Sequence, residues 1–335
     1  MRRLLLHPEV ELLAAFAADH LGEPLGAAQP HLEGWSSLRY RPVDEQAKKP
    51  PADVLFLALP HAVSWRVVEA LQPSGVRIID CSGAFRVDDA QAYEDLYGAP
   101  HPLPDLLERF VYGLTELNRE RIADSRLVAS PGCFATAMTL GLAPLARAGL
   151  LRGSVHTTGI TGSSGSGSVA AATTHHPSRA GNLRTYKPLQ HPHAAEVNQT
   201  LERLGGQRVE VQFVPVSSPL VRGIFATSFV EAPRQPGQLH DAASLDALVA
   251  ECFSGSRFVR RPAARLPEVV AVAGSNFAEV GLVPGPIIDE SRQLITCFSA
   301  LDNLIKGGAG QAIQNMNVML GLEESCALLD PGGYP

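Results

Sequence analysis

Two apolar runs in the first third of the chain predict buried strands with a helix between them. The runs ADVLFLALP (52–60) and VRIIDCSG (76–83) are nearly continuous rather than alternating, which is typical of strands covered on both faces. Between them, SWRVVEAL (64–71) places its valines and leucine at helical spacing on one side. Strand, helix and strand so close together predict a βαβ unit in a parallel, doubly wound sheet.

The pattern changes in the second half of the chain. RLVAS (126–130) predicts a further strand, and the apolar stretch after it predicts a helix that starts at Cys133 or Phe134. From residue 154 on, strand-like segments separated by turn residues predict a mixed or antiparallel sheet in a second domain. These segments are SVHTTGI, RVEVQFVPVS, RGIFATSFVE and EVVAVAGSNFAEVGLVP. The segment DNLIKGGAGQAIQNMNVMLGL (302–322) then predicts a glycine-opened helix that packs back on the first domain.

Composition and charge exclude several classes of function. The formal net charge of −6 provides no basic surface for a nucleic acid. The five cysteines form no C-x-x-C pair, which favours a reducing cytoplasm over a disulfide framework or a structural zinc site. No stretch approaches the roughly 18 apolar residues of a membrane span, and HPE (7–9) interrupts the apolar start, so export is not expected.

Cys133 occupies a distinctive position in LVASPGCFATAMTLGLAPL (127–145), directly after Ser-Pro-Gly and before the predicted helix. The free N–H groups and the macrodipole at a helix N-terminus favour a thiolate, which lowers a thiol pKa that starts near about 8.5. The same N–H groups could stabilise an oxyanion on an acyl group attached to the sulfur. A nucleophile is one interpretation, and a small buried residue that closes a turn is the other.

A second group of reactive side chains lies in YKPLQHPHAAEV (186–197). His191 and His193 are spaced for one loop, and His193 and Glu196 would share a face if a helix starts there. A carboxylate beside an imidazole holds its tautomer and keeps its pKa near neutrality, as a general acid/base requires. The alternative is an exposed histidine-rich turn.

Two further features are candidates for binding an anion. In the loop 161–168, glycines alternate with serines and a threonine, so backbone N–H groups and hydroxyls can approach a phosphate, although the composition also suits a linker. Arg86 follows the carboxyl end of a predicted strand, where open α/β sheets bind ligands. It is a candidate for a phosphate or carboxylate contact, or else an ordinary surface arginine.

Six motifs together resemble the N-acyl-glutamyl/aminoadipyl-phosphate reductase family, over nearly the whole chain. In order, they are DCSGAFRVDD, FVYGLTEL, ASPGCFATA, HHPSRAGNLRTYKPLQHPHAAEV, GSNFAEVGL and DNLIKGGAGQAIQNMN. The family includes N-acetyl-gamma-glutamyl-phosphate reductase and the carrier-protein-linked aminoadipate 6-phosphate reductase of lysine synthesis. The resemblance implies an α/β plus α+β fold, with a Rossmann-type parallel-sheet domain and a mixed-sheet catalytic and oligomerisation domain. We expect residues 1–132 with 303–335 in the first domain and 133–302 in the second.

The resemblance also implies roles for the candidate residues. Cys133 would attack an acyl phosphate, expel phosphate and form a thioester, which NADPH would reduce to a semialdehyde. His193 would be the acid/base, with Glu196 orienting it and His191 near the substrate. Residues implied to bind substrate or phosphate are Arg86, Ser164, Gly165, Arg184 and Lys187. Residues implied to bind the cofactor are Pro60, His61, Ser82, Gly162, Gly307 and Asn303, the last at the nicotinamide carboxamide.

The N-terminal region departs from the family pattern. Members begin with a strand and a glycine fingerprint like GASGYTG, whereas this chain opens with MRRLLLHPEVELL, inside the helix that follows. We therefore expect an incomplete Rossmann domain, from either a late-assigned start or a truncated, non-catalytic form that binds cofactor poorly. The serine-arginine pair that grips the NADP 2′-phosphate is replaced by Ala17-Ala18, followed by Asp19, so NAD is an alternative to NADP.

The substrate is expected to be the carrier-linked aminoadipyl phosphate, with N-acetyl-gamma-glutamyl phosphate as the alternative. Acetylglutamyl enzymes carry an arginine where this chain has Ser168, and HHPSRAGNLRTYKP resembles the lysine branch more closely. Arg179, Arg184 and Lys187 could face an acidic carrier protein, or could be ordinary solvated charges. A homodimer or homotetramer without a metal ion is expected.

Three other functions compete with this interpretation. An aspartate-semialdehyde or glyceraldehyde-3-phosphate dehydrogenase would use the same cysteine chemistry, but its histidine would have other sequence surroundings than YKPLQHPHAAEV. A cysteine hydrolase would leave the DNLIKGG helix without a purpose. A non-catalytic binding protein is the third alternative.

Overall fold

The computed structural model of the chain describes residues 1–45, 52–167 and 169–334. Ser168, on which the predicted choice of substrate partly depends, lies outside the described residues. The chain divides into two compact units, one of Met1–Ser130 with Ala312–Leu329 and one of Pro131–Gln311 with Asp330–Pro335.

The first unit contains two parallel sheets and several helices. Its strands are β1 (Ala15–Ala17), β2 (Tyr40–Pro42), β3 (Val54–Leu57), β4 (Arg77–Asp80), β5 (Val111–Tyr112) and β6 (Leu127–Ala129). Its helices are α1 (Arg2–Leu5), α2 (Leu25–Ala28), α3 (His61–Leu71), α4 (Ala90–Tyr97), α5 (Pro104–Leu107) and α6 (Thr115–Ala123). Strands β1 and β2 pair with each other, and the second sheet has the order β3-β4-β6-β5.

The predicted strand–helix–strand unit is confirmed. β3 pairs in parallel with β4, and α3 connects them. Val68 and Leu71 of α3 are buried in one core with Leu57 of β3 and Ile78 of β4. Three consecutive residues of β4 are buried, as its continuous apolar run predicts, whereas buried and partly buried residues alternate along β3.

The C-terminal segment contributes buried amides to the first unit. Asn315 accepts a hydrogen bond from the Thr115 hydroxyl and donates one to the Gly113 carbonyl. Asn317 shares a 3.0 Å hydrogen bond with Nε2 of His7. These hydrogen bonds fix the position of the segment. If it shifted, buried amide groups would lose their hydrogen-bond partners and the full free-energy cost of their desolvation would remain.

The second unit is built on a seven-stranded mixed sheet of order β11-β12-β13-β10-β7-β9-β8. Its strands are β7 (Gly153–Thr161), β8 (Arg184–Thr185), β9 (Val209–Ser217), β10 (Ile224–Pro233), β11 (Val259–Arg260), β12 (Ala278–Asp289) and β13 (Arg292–Leu301). Its helices are α7 (Cys133–Arg147), α8 (His176–Arg179), α9 (His193–Gly205) and α10 (Ala242–Cys252). A further helix, α11 (Gly310–Met319), begins in this unit and continues into the first.

Helix α7 packs closely against this sheet at Gly159. A Cβ at Gly159 would lie 2.6 Å from the ring of Phe134 in α7 and 2.8 Å from the ring of Phe213 in β9. These two rings meet edge to face, with centroids 5.0 Å apart. The missing side chain therefore lets Phe134, the residue after Cys133, lie against the strands.

Two predicted elements differ in the structure. The strand predicted across EVVAVAGSNFAEVGLVP begins only at Ala278, because Val272 and Ala273 donate N–H bonds back to the Val269 carbonyl and turn the chain. The helix predicted over 302–322 is an α-helix only from Gly310, since Ile305–Ala309 forms a π-helical turn with a non-helical residue inside it. In the parts of the chain that the structure describes, no helix has the length and apolar content to cross a bilayer.

Candidate active site

Cys133 is the first residue of α7, one of the two helix starts that the sequence predicted. Gly132 is the N-cap, with φ −69° and ψ 148°, and its carbonyl accepts the first helical bond from the Thr136 N–H. The residues from Phe134 to Ala146 are buried, whereas Cys133 is partly exposed. The thiol therefore lies at the positive end of a 15-residue helix, where the macrodipole and the N–H groups of the first turn favour an anion.

The other cysteines have environments that suppress reactivity. Burial raises the pKa of Cys81 to about 12 and that of Cys252 to about 11, and it raises the pKa of Cys297 as well. Desolvation also raises the pKa of Cys326. A thiol with a raised pKa carries little thiolate near neutral pH, so Cys133 has the setting best suited to a nucleophile.

His193 and Glu196 share a face of α9, as the spacing predicted. His193 is the first residue of that helix, and Glu196 is buried with 3% of its surface exposed. One oxygen of Glu196, Oε2, accepts the N–H of Gly132 at 2.9 Å. The other, Oε1, lies 3.9 Å from Nε2 of His193, an ion-pair separation rather than a hydrogen bond. One carboxylate thus contacts both the N-cap of the cysteine helix and the imidazole.

Two glycines allow close approach at the N-terminus of α7. A Cβ at Gly132 would overlap Nε2 of His193 and lie 2.5 Å from the ring carbons Cδ2 and Cε1. A Cβ at Gly307 would lie 2.7 Å from Cβ of Cys133. The structure therefore brings His193, Glu196 and Gly307 around the Gly132–Cys133 peptide.

His191 lies in a cluster of rings beside His193. Their ring centroids are 4.5 Å apart, and Phe134, Tyr186 and Phe213 also contact the His191 ring. Burial, followed by the charge of His193, lowers the pKa of His191 to about 3. Burial and the charge of Cys133 raise the pKa of Tyr186 to about 12.

The sequence did not predict that Tyr186 and Phe213 lie beside His191. The sequence contains a signal for the first of these two residues but not for the second. Tyr186 begins the quoted histidine motif, so its phenol was a visible signal beside two histidines. Phe213 is one of several alternating apolar residues of a predicted strand, and nothing local marks it as adjacent to His191.

Asn303 and Ser164 bind each other in the structure. Nδ2 of Asn303 donates to the Ser164 hydroxyl at 3.0 Å, and its Oδ1 accepts the Gly223 N–H at 2.8 Å. Gly162 lies so close to the backbone of Val221 that a Cβ would be 2.7 Å from its carbonyl. The predicted phosphate loop is therefore held against the segment before β10.

Asp302, the residue before Asn303, links several segments around the site, and the sequence did not predict these contacts. Asp302 is fully buried, pairs with Arg222 at 3.1 Å and accepts the Gly274 N–H at 2.7 Å. It also accepts the N–H groups of Leu304 and Ile305, which starts the π-helical turn containing Gly307.

The remaining predicted substrate residues of the second unit lie on its surface. Gly165 is exposed in the 3₁₀ turn Ser163–Ser166. Arg184 is exposed in β8, and Lys187 is exposed in the loop that follows. Lys187 has φ 45° and Leu189 has φ 59°, so this loop adopts left-handed backbone at two non-glycine residues just before the histidines.

Arg86 and three predicted cofactor residues belong to the first unit. Nε of Arg86 donates to the Ser130 carbonyl at 2.8 Å and its Nη2 to the Cys81 carbonyl at 2.7 Å. The Ser82 hydroxyl donates to Asp80 at 2.7 Å, which makes Ser82 part of a buried turn.

Pro60 and His61 are better placed than Ser82 to bind a phosphate group. Pro60 is the N-cap and His61 the first residue of the 11-residue helix α3, which follows β3. The free N–H groups of such a helix N-terminus bind phosphate. These residues therefore fit the diphosphate of a nicotinamide dinucleotide, whereas the Ser82 hydroxyl is already engaged.

Two family models match the chain. The model described as "Semialdehyde dehydrogenase, NAD binding domain" matches residues 1–125, and "Semialdehyde dehydrogenase, dimerisation domain" matches residues 133–303. Among solved structures, aspartate semialdehyde dehydrogenase II from Vibrio cholerae has a TM-score of 0.68 at 18% identity, covering 96% of this chain and 94% of that one. This likeness shows the fold.

Curated relatives match nearly the full length. An N-acetyl-gamma-glutamyl-phosphate reductase of Desulforudis audaxviator is 38% identical over 100% of this chain and 95% of its own. A putative LysW-L-2-aminoadipate/LysW-L-glutamate phosphate reductase of Pyrobaculum calidifontis is 40% identical over 97% of this chain and 92% of its own. These matches confirm the predicted family resemblance and the fold class of a Rossmann-type parallel sheet with a mixed-sheet second domain. The chain therefore belongs to the semialdehyde dehydrogenase family of oxidoreductases, with a first domain of the kind that binds a nicotinamide cofactor.

Proposed function

We propose that the chain reduces an acyl phosphate to a semialdehyde through a thioester on Cys133. The observation that carries the proposal is the arrangement at the N-terminus of α7, where His193 and Glu196 lie against the Gly132–Cys133 peptide. The names of the two curated relatives, both phosphate reductases, support it.

In the first half of the reaction, Sγ of Cys133 attacks the acyl carbon. The C–S bond forms, the C–O bond to phosphorus breaks, and inorganic phosphate leaves with the bonding electrons. His193 holds the thiol proton, and the negative charge of Glu196 stabilises the resulting imidazolium. The N–H groups of the first turn of α7 stabilise the oxyanion that develops on the acyl group.

In the second half, a bound reduced nicotinamide would supply a hydride to the thioester carbon. His193 donates its proton to the acyl oxygen, which becomes a hydroxyl. It then takes that proton back as the C–S bond breaks, so that the aldehyde leaves and Cys133 remains as a thiolate at the helix N-terminus. Pro60 and His61 would hold the diphosphate of the cofactor. Ser82, Gly162, Asn303 and Gly307 remain the other proposed cofactor residues, with NADP as the proposed cofactor and NAD as its alternative.

Glu196→Gln is expected to lower kcat about tenfold with KM nearly unchanged. The amide oxygen can still accept the Gly132 N–H, but the neutral side chain cannot stabilise an imidazolium at His193. Rapid-quench measurements should show a burst of phosphate followed by slow aldehyde formation. The helix N-terminus supports the Cys133 thiolate in the variant as well, whereas aldehyde formation depends on proton transfer by His193. A chain that only binds its ligands would show neither.

Glu202→Gln is the matched control. Glu202 lies on the same helix, and its Oε1 also accepts a backbone N–H, that of Val209. Its variant should behave like the wild type. Unchanged turnover together with an unchanged pH profile in Glu196→Gln would show that the carboxylate charge plays no part.

We propose the carrier-linked aminoadipyl phosphate of lysine synthesis as the substrate. Exposed Arg184 and Lys187 support it, because a basic surface suits an acidic carrier protein, and so does the relative named for LysW. N-acetyl-gamma-glutamyl phosphate is the alternative, supported by the other relative. The test is phosphate-dependent oxidation of each semialdehyde with NADP⁺ or NAD⁺. Carrier-linked substrate with NADP⁺ should give the higher kcat/KM.

Reversing the charge of Arg184 to glutamate is expected to lower kcat/KM for the carrier-linked substrate about tenfold. The loss should shrink with added salt, and activity on a small semialdehyde lacking the carrier should be unchanged. Arg208→Glu is the control, because Arg208 is exposed but precedes β9, whose other end pairs with Arg184. An equal loss on both substrates would argue against carrier recognition.

We also propose an oligomeric state and domain boundaries for the chain. The dimerisation-domain match supports an oligomer, which we propose to be a homodimer or homotetramer in the cytoplasm. We propose residues 1–132 with 303–335 as the cofactor domain, and 133–302 as the catalytic and oligomerisation domain.

A further inference from the structure

The hydrogen bond at Nδ1 of His191 restricts where its proton can be. The backbone N–H of His193 points to this nitrogen, with the two nitrogens 3.3 Å apart. A backbone N–H can only donate, so Nδ1 must offer its lone pair. A neutral imidazole that accepts at Nδ1 carries its proton on Nε2, whereas an imidazolium would set two N–H groups against each other.

The surroundings of the ring also oppose a charge. Phe134 from α7 and Phe213 from β9 contact it, as does Tyr186 from the preceding loop. Burial is the largest cause that lowers its pKa to about 3, and the charges of His193 and Lys187 act in the same direction. Glu196 acts in the opposite direction and does not outweigh them.

We propose that His191 is a permanently neutral hydrogen-bond donor, with its proton on Nε2, to an oxygen of the acyl phosphate. This inference rests on the proposed function. In this role His191 acts as a hydrogen-bond donor and not as an acid/base, so no proton leaves its ring during turnover. A second imidazolium 4.5 Å from His193 would oppose protonation there, and a neutral His191 removes that repulsion.

The tautomer can be measured without any assay of activity. Long-range ¹H–¹⁵N spectra of the ¹⁵N-labelled full chain identify the protonated nitrogen of each histidine, and His191→Asn assigns the resonances. From about pH 5 to pH 8, where an ordinary histidine titrates, His191 should keep a protonated Nε2 and an unprotonated Nδ1. A proton on Nδ1, or titration within this range, would overturn the proposal even if the enzyme is an acyl-phosphate reductase.

Two substitutions test the donor in catalysis. In His191→Asn the amide oxygen replaces the Nδ1 acceptor for the His193 N–H but the Nε2 donor is lost, whereas in His191→Gln the amide nitrogen reaches the Nε2 position. We expect a loss of about a hundredfold in kcat/KM for asparagine, because the loss of a single oxyanion donor costs about that much, and less than about tenfold for glutamine. Both variants should keep the wild-type pH profile. His156→Asn, at an exposed residue of β7, should keep full activity.

The opposite kinetic results are equally informative. An ionisation that disappears from the pH profile of either variant would make His191 an acid/base and overturn the proposal. Equal losses in both variants would show that the Nε2 donor is not what the reaction uses. Melting curves of both variants, compared with the wild type, separate these outcomes from a loss of folded protein.

Discussion

Cys133→Ser is expected to lower turnover by more than about a thousandfold while the chain stays folded. A serine hydroxyl is nearly isosteric with the thiol, but it ionises too weakly for a helix N-terminus to supply the nucleophile. The measurement is phosphate-dependent oxidation of the semialdehyde, with circular dichroism to follow folding. Mass spectrometry after acyl-phosphate addition should show an acylated wild type and an unmodified variant.

Cys326→Ser is the matched control for this prediction. Cys326 is also partly exposed, but its pKa is raised and it lies in the first unit. Its variant should keep wild-type turnover. If Cys133→Ser kept even about a tenth of the activity, only about 1.4 kcal/mol of transition-state stabilisation would be lost, and Cys133 could not be the nucleophile.

Gly132→Ala is expected to lower kcat about a hundredfold with little change in melting temperature. The new Cβ would overlap Nε2 of His193, so the imidazole has to move away from the cysteine. The cost in stability is small because the atoms that move are the end of a side chain, and the backbone at Gly132 has φ −69°, which alanine adopts freely. Steady-state kinetics and thermal melting measure the two effects separately.

Gly333→Ala controls for the substitution itself. Among the residues that the structure describes, nothing lies within 4 Å of a Cβ at Gly333, and its φ is not in the left-handed region. This variant should match the wild type in both measurements. Wild-type kcat in Gly132→Ala would mean that the position of His193 against the N-cap is irrelevant to the reaction.

The parts of the site that depend on local spacing could be predicted from the sequence. A small-residue turn followed by an apolar stretch indicated a helix beginning at Cys133. A histidine and a glutamate three positions apart share one face of any helix, so His193 and Glu196 were paired correctly in space. The spacing could not show that Glu196 binds the Gly132 N–H more closely than the imidazole.

Two of the predicted elements were wrong at segments where turn hydrogen bonds or glycines set the path of the backbone. Residues 268–277 are as apolar as a strand, yet N–H bonds to the Val269 carbonyl turn the chain there. The glycines of DNLIKGG allow a π-helical turn at Ile305–Ala309, in which Gly307 passes within contact distance of Cys133. Periodicity does not distinguish these geometries, because the apolar pattern constrains burial more than backbone path.

By itself, the sequence determined the types of element, the order of the motifs and the candidate nucleophile, since these follow from hydrophobic period, turn residues and short-range spacing. Tertiary structure decided which distant groups meet. Glu196 reaches the N-cap of α7, Asn303 joins Ser164 to Gly223, and three aromatic rings enclose His191. These contacts arise when elements far apart in the chain pack together and bury polar groups that must then find partners, and no local pattern encodes them.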